Sequence, residues 1–226
     1  MNAKNRGETL IQVLLNDPEA FEEKEQAYDL LQAYSHGFPL ETLRPLLRSQ
    51  DRLVQHAAAY VVSELGRHAR EVVDDVIPLL DTDDRYLRYN AMEVITDCCD
   101  GPDADKFVSV IRMLQDSDDE LRVLAMRLMS NADESQLEAG ARFFSTQSQH
   151  DEQHARGLSA LLGGDEADPG EVPAMINDSD PLIRKYGAIA ATRLLKTRPD
   201  LFAQVLASTD PEVRKMGEQV KFIKRL

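Results

Sequence analysis

Two histidines stand four residues apart in His150-Asp-Glu-Gln-His154, a spacing that puts both imidazoles on one helix face, where they could hold zinc. A zinc hydrolase needs Glu directly after the first His, or, in the inverted pattern, directly before the second. Asp151 and Gln153 occupy those places, and no third ligand is marked downstream. The segment reads as a solvated helix start, and no metal or cofactor is expected. The other candidates for chemistry are equally incomplete. Cys98 and Cys99 are adjacent, and neighbours rarely bridge because the ring is strained, so no disulfide framework is possible within the chain. They read as two small residues near a helix end in a reducing compartment, with a redox pair as the alternative. His56 and His68 fall on different helix faces. No Gly-rich phosphate loop follows a strand, no Ser sits in a nucleophile elbow, and no Cys has a marked His partner. The sequence gives no grounds for an enzyme.

Carboxylates are abundant, 40 Asp and Glu against 26 Lys and Arg, and their placement is periodic. One pattern recurs: Asp, two residues, an aliphatic, usually Arg, and a small residue three further on. It reads Asp84-x-x-Leu87-Arg88-x-x-Ala91, then Asp118-x-x-Leu121-Arg122-x-x-Ala125. It returns as Asp180-x-x-Ile183-Arg184-x-x-Gly187 and Asp210-x-x-Val213-Arg214-x-x-Gly217. Asp51-x-x-Val54-Gln55-x-x-Ala58 is a copy with Gln for Arg, and Asp151 opens a degraded one. The Asp positions are separated by 33, 34, 33, 29 and 30 residues, a period that means stacked repeats.

Each repeat reads as two helices. Val72, Val73, Val76, Ile77 and Leu80 give the first helix of the clearest unit an apolar face within 70–80. The turn Asp81-Thr-Asp-Asp follows, and a second helix over about 85–98 buries Leu87, Ala91, Val94, Ile95 and Cys98. The next unit repeats this with Phe107, Val108, Ile111 and Leu114, the turn Asp116-Ser-Asp-Asp, then Leu121, Leu124, Ala125, Leu128 and Met129. Asp and Ser in these turns suit helix N-caps, and Pro181 and Pro211 suit first helical turns. Residues 1–39 form an atypical N-terminal cap, with a first unit over 8–35 because Asp17-Pro18 lies 34 residues before Asp51. Residues 134–170 form a degenerate repeat where a bend is expected, and only a short helix over 172–176 fits before the next turn. The expected architecture is all-α: a single α-α superhelix over 1–226, with about six to seven two-helix repeats.

Hydrophobic residues make up 42% of the chain and charged residues 29%, so it is globular rather than disordered. No apolar run approaches the roughly 20 residues that span a bilayer, and the default is cytoplasmic. The net charge of −14 is unevenly placed: residues 181–226 carry 10 basic and 4 acidic side chains, leaving 16 against 36 in the rest. The acidic majority disfavours nucleic acid and steers a basic partner toward the first four-fifths of the chain, while solubility alone also rewards such acidity.

The repeated Asp-x-x-aliphatic-Arg-x-x-small element resembles HEAT repeats, and the shorter spacings near the C-terminus are similar to the HEAT-like repeats of phycobilin-lyase-type proteins. The resemblance covers about 40–226. It implies that Asp84, Arg88, Asp118, Arg122, Asp180, Arg184, Asp210 and Arg214 form a structural ladder, with Gln55 interrupting one rung. It also implies a concave binding face lined by second helices. Positions off the buried stripe there are Tyr60, Glu64, Tyr86, Tyr89, Asn90, Glu93, Asp97, Arg127 and Tyr186. Tyrosines beside carboxylates suit a protein-binding groove, because Tyr gives large contact area at low entropy cost; packing between repeats is the alternative for each. The expected function is a non-catalytic scaffold whose acidic face binds a basic protein, such as an immunity protein or adaptor. The alternatives implied by resemblance are a bilin chaperone or lyase and, ranked last, a DNA-binding HEAT protein of the alkylpurine glycosylase type. That last reading would rely on Lys221, Lys224 and Arg225, and it lacks the Trp and basic groove it needs.

Overall fold

The computed structural model describes residues 3–146, 151–164 and 170–225. It is all-α, a series of short helical hairpins. The chain divides into two compact units, 1–98 and 99–226, with the boundary between the two adjacent cysteines. Both cysteines are buried and free.

The first unit contains α1 (Ala3–Asn16), α2 (Pro18–Glu23), α3 (Gln26–Ser35), α4 (Arg44–Leu47), α5 (Arg52–Leu65), α6 (Val73–Val76) and α7 (Arg85–Cys98). Its second helices stack in order, α3 on α5 and α5 on α7. The apolar positions read from the sequence supply the interior: Val54, Ala58, Leu87, Ala91, Val94 and Ile95 are buried, and Val61 and Val62 join them. The first helices are less regular than expected. Within 66–81, only α6 is α-helical, between 3₁₀ turns over Gly66–Val72 and Ile77–Asp81. Pro78 lacks the N–H that an α-helical ladder needs, and Gly66, at φ +51, ends α5 in a conformation that side chains resist. These first helices are clipped together by charge. Asp75, its side chain fully buried, receives Arg44 at 2.5 Å and Arg48, while Arg44 also donates to the Glu71 carbonyl at 2.6 Å.

The second unit contains α8 (Val108–Arg112), α9 (Asp119–Met129), α10 (Glu134–Ser145), α11 (Glu152–Gly163), α12 (Glu171–Ile176), α13 (Pro181–Arg193), α14 (Pro199–Leu206) and α15 (Pro211–Lys224). The short α12 is the helix expected before the Asp180 turn. This unit does not extend as a simple row. Helix α13 is buried almost all round, from Leu182 to Thr192, and α9, α11, α12, α14 and α15 all pack against it. A helix apolar on every side needs cover on every side. Helix α9 therefore also meets α15, and the second helices cover one another. Gly187 lets α13 press onto α12: a Cβ there would lie 2.6 Å from the Ile176 nitrogen.

The recurrent Asp does the same local work in five repeats, and only Asp151 of the degraded copy makes no side-chain cap bond to its helix. Asp51, Asp84, Asp118, Asp180 and Asp210 accept hydrogen bonds from amides two or three residues on, as N-caps do. The Arg four residues later folds back on its own turn. Arg122 donates to the Asp116 carbonyl at 2.6 Å, Arg184 to that of Asp178 at 2.9 Å, and Arg214 to that of Ser208 at 3.0 Å. A rung between neighbouring repeats of the expected kind forms at Arg184–Asp210, at 2.9 Å. At two other positions the partners differ from the ladder reading. Arg122 reaches not a motif Asp but Glu212, 90 residues on, because α9 lies against α15. Gln55 turns back to the Leu47 carbonyl at 2.9 Å, and its rung passes to the next residue: His56 Nε2 meets Asp84 Oδ2 at 2.8 Å. His56 thus has a partner that its helix position alone did not reveal.

Candidate functional site

The most distinctive surface lies in the first unit, where α2, α3, α5 and α7 enclose a groove of about 590 Å³. Phe21, Leu53 and Ala57 give it apolar walls. Tyr28, Tyr60 and Tyr86, one from each second helix, line it, with His56 beside them and Glu22 and Glu25 on its margin. Tyr28 is 60% exposed and Tyr86 41%, high values for rings that size.

Each side chain is held by a local cause. The short helix α2 exists because Asp17 caps it, accepting the Ala20 amide at 3.0 Å, and Pro18 starts it. Glu25, at φ +53, turns the chain sharply into α3, so that Tyr28 points back over α5. On α7, Asp84 caps the first turn and His56 stacks on Tyr86, with ring centroids 4.8 Å apart and tilted by 50°. Asp84, His56 and Tyr86 form a continuous contact that fixes the Tyr86 ring.

Burial pushes the Asp84 carboxyl up, but hydrogen bonds from His56 and from the Leu87 and Tyr86 amides outweigh it, so the group stays ionised below the ordinary range. The Tyr60 phenol is pushed up by burial and then by the Glu64 carboxylate one turn further along α5. Tyr86 is pushed up by burial against an opposing hydrogen bond from Asn90, with smaller additions from Tyr60, Glu64 and Asp84. Beyond these rings, burial and then Glu93 raise the Asp97 carboxyl against the opposing Arg67. Burial is the largest cause in each case. For Tyr60 and Asp97 the second contribution is a neighbouring carboxylate, Glu64 or Glu93, and an arriving cation relieves it.

The residues expected on the binding face separate into two sets. Tyr60, Glu64, Tyr86, Tyr89, Glu93 and Asp97 lie on α5 and α7, exposed or half-buried. Asn90 is only 6% exposed, and its amide donates to the Tyr86 carbonyl at 2.8 Å, so it serves the helix. Arg127 is half-buried on α9 in the second unit. Tyr186 is the clear correction. It is fully buried on α13, and its hydroxyl meets His154 Nδ1 at 2.8 Å. Gly157 makes room for it, since a Cβ there would lie 2.2 Å from the ring.

That contact also settles the character of His154. The imidazole is 1% exposed, stacked on Phe144 at 4.3 Å, and held at about pKa 4 by burial, so it is a neutral core group. His150 lies outside the described residues. Among the described residues, no group of three or more His, Cys, Asp or Glu side chains is placed to hold a metal ion. No helix among them is long and apolar enough to cross a membrane.

Pro18, Phe21, Glu22, Glu25, Tyr28 and His56 were not expected here. Tyr28 carried a usable signal: it lies 32 residues before Tyr60, close to the repeat period, and so takes a similar place in its own unit. The atypical N-terminal sequence concealed that register.

No family model and no curated protein matches this chain. Solved structures do. One engineered protein is similar over 97% of this chain and 68% of its own, at 19% identity and a TM-score of 0.51, a likeness of fold alone. Another engineered protein is 20% identical over 82% of this chain and 96% of its own, with a TM-score of 0.42.

Proposed function

We propose that this chain is a non-catalytic protein-binding helical-repeat scaffold, and that the tyrosine groove of its first unit receives a basic segment of a protein partner. The observation that carries this reading is the convergence of Tyr28, Tyr60 and Tyr86 on one groove beside Glu22, Glu25 and Glu64. Aromatic faces attract Lys and Arg heads by about 0.5–2 kcal/mol each, and tyrosines at the centre of an interface are common energetic anchors. The carboxylates would steer a cation in and select against an acidic competitor. The first unit carries 10 Lys and Arg against 18 Asp and Glu, which favours the same sign of partner. An immunity protein and an adaptor differ only in what that partner does.

The direct test is titration of labelled peptides of matched length, one rich in Lys and Arg with interspersed aromatics and one rich in Glu. The basic peptide should bind, and Tyr86→Ala or Glu64→Lys should weaken it about tenfold or more, the loss of one anchor worth about 1.4 kcal/mol. Equal binding of both peptides, or indifference to both substitutions, would remove the groove from the function.

A further inference from the structure

The last turn of α15 is unlike the rest of the surface. Phe222 is 85% exposed and Ile223 59%, and Lys221, Lys224 and Arg225 around them are exposed as well. Two large apolar side chains side by side in water are costly unless something covers them. The turn sits in the basic part of the chain, residues 181–226 carrying 10 basic against 4 acidic side chains. It therefore has an apolar centre and a cationic rim. The groove of the first unit has the complementary character: an aromatic and apolar interior, Phe21, Tyr28, Tyr60 and Tyr86, with an acidic margin. A groove of about 590 Å³ has room for a Phe ring and an adjacent aliphatic side chain.

We infer that the groove of one copy receives the last turn of α15 from a second copy, so that the chain associates with itself head to tail. This rests on the groove being a receptor for basic segments, and it names the segment. Phe222 takes the centre among the tyrosines, and Lys221, Lys224 and Arg225 face the carboxylates at the margin. The contact joins two different surfaces. A row of any length leaves one groove free at one end and one turn free at the other, and association continues until the rotation closes a ring or the supply of copies ends.

The test uses the full chain in sedimentation velocity over a concentration series. Assembly should grow with concentration, and its apparent dissociation constant should rise about tenfold when salt goes from about 50 mM to about 500 mM, because the rim is ionic and exposed. The decisive step mixes two variants. Tyr86→Ala keeps the turn and loses the groove; Phe222→Asp keeps the groove and loses the turn. Each alone should be monomeric at a concentration where the unaltered chain has just assembled, its self-association weakened about tenfold or more. An equimolar mixture should give a dimer and nothing larger, because only one intact groove meets one intact turn. Monomer at every concentration, or assembly that persists in either single variant, overturns the inference. Titrating the Phe222→Asp variant with the basic peptide separates the two readings. Peptide binding without self-association sinks only the second-copy contact, and failure of both sinks the groove itself.

Discussion

Acidification should destabilise the second unit through one side chain, His154. Its imidazole packs between Phe144 and Tyr186, with ring centroids 4.3 and 5.8 Å away, and Gln115 Oε1 lies 3.3 Å from Nε2. Of the charged groups that face it, Asp151 favours the imidazolium and Arg112 opposes it, and burial outweighs both. The folded-state value is about 4 against 6.5 for a free imidazole. The unfolded chain therefore takes up a proton below pH 6.5 that the folded chain refuses until about pH 4. Stability is undiminished above that window and falls as pH drops through it. The loss from this residue alone is about 2 kcal/mol at pH 5 and approaches about 3 kcal/mol by pH 4. Urea unfolding at pH 7.5 and pH 5 measures it, because ordinary carboxylates titrate mostly below that range. His154→Asn should lower stability at pH 7.5, where the ring's packing is lost. It should also reduce the drop between the two pH values by about 2 kcal/mol. An unchanged drop, or an imidazole titration near pH 6 by NMR, would refute the argument.

Two further substitutions probe how the second unit closes. Glu212 accepts from Arg122 at 3.0 Å and pairs with Lys185 at 3.1 Å, while Lys185 also donates to the Leu114 carbonyl at 2.8 Å. The Arg122 hydrogen bonds lead in holding the Glu212 carboxyl below its usual range, whereas burial lowers Lys185 despite Glu212; the lysine gains less than its desolvation costs. Glu212→Ala should cost about 3 kcal/mol by stranding the Lys185 charge, and adding Lys185→Met should recover part of it, as a double-mutant cycle in urea would show. The Glu212 contribution is present above about pH 4.5 and lost as pH falls below it. Gly187→Ala, which would gain helix propensity on an exposed surface, should instead destabilise by about 1–3 kcal/mol, since its Cβ meets backbone of α12; an unchanged melting temperature would mean that α12 and α13 are not so closely packed.

The repeat was legible because its cause is local. An Asp cap, a buried aliphatic and a small residue at fixed spacing specify the start of a second helix without help from distant sequence, and α5, α7, α9, α13 and α15 all begin at such a turn. The first helices were less legible, because β-branched runs broken by proline fit 3₁₀ and α turns about equally, and packing chooses. The partners of Arg122 and the fate of Tyr186 were not legible at all. Both depend on α9, α11 and α15 gathering around α13, and no spacing within one repeat reports which repeat lies across from it. The low hydrophobic contrast of α13, with Lys185 and Tyr186 side by side amid Gly187, Ala188 and Ala190, was the one available sign that both its faces are enclosed.

That difference between the units bears on where a partner can bind. A second helix can display tyrosines and carboxylates only if nothing lies over them. In the second unit α9, α13 and α15 lie over one another, and polar residues where they meet are spent on internal pairs: Arg122 and Lys185 with Glu212, and Lys215 with Glu120. A partner there would have to displace paired charges at a cost that its own charges must first recover. In the first unit α3, α5 and α7 stack side by side, and the tyrosine rings above them meet water over two-fifths or more of their area at Tyr28 and Tyr86. Covering those rings displaces water without breaking an ion pair between helices. Binding energy from apolar and aromatic contact is therefore cheapest to obtain on α3, α5 and α7, and an acidic margin there adds selectivity for a cation at little cost in stability.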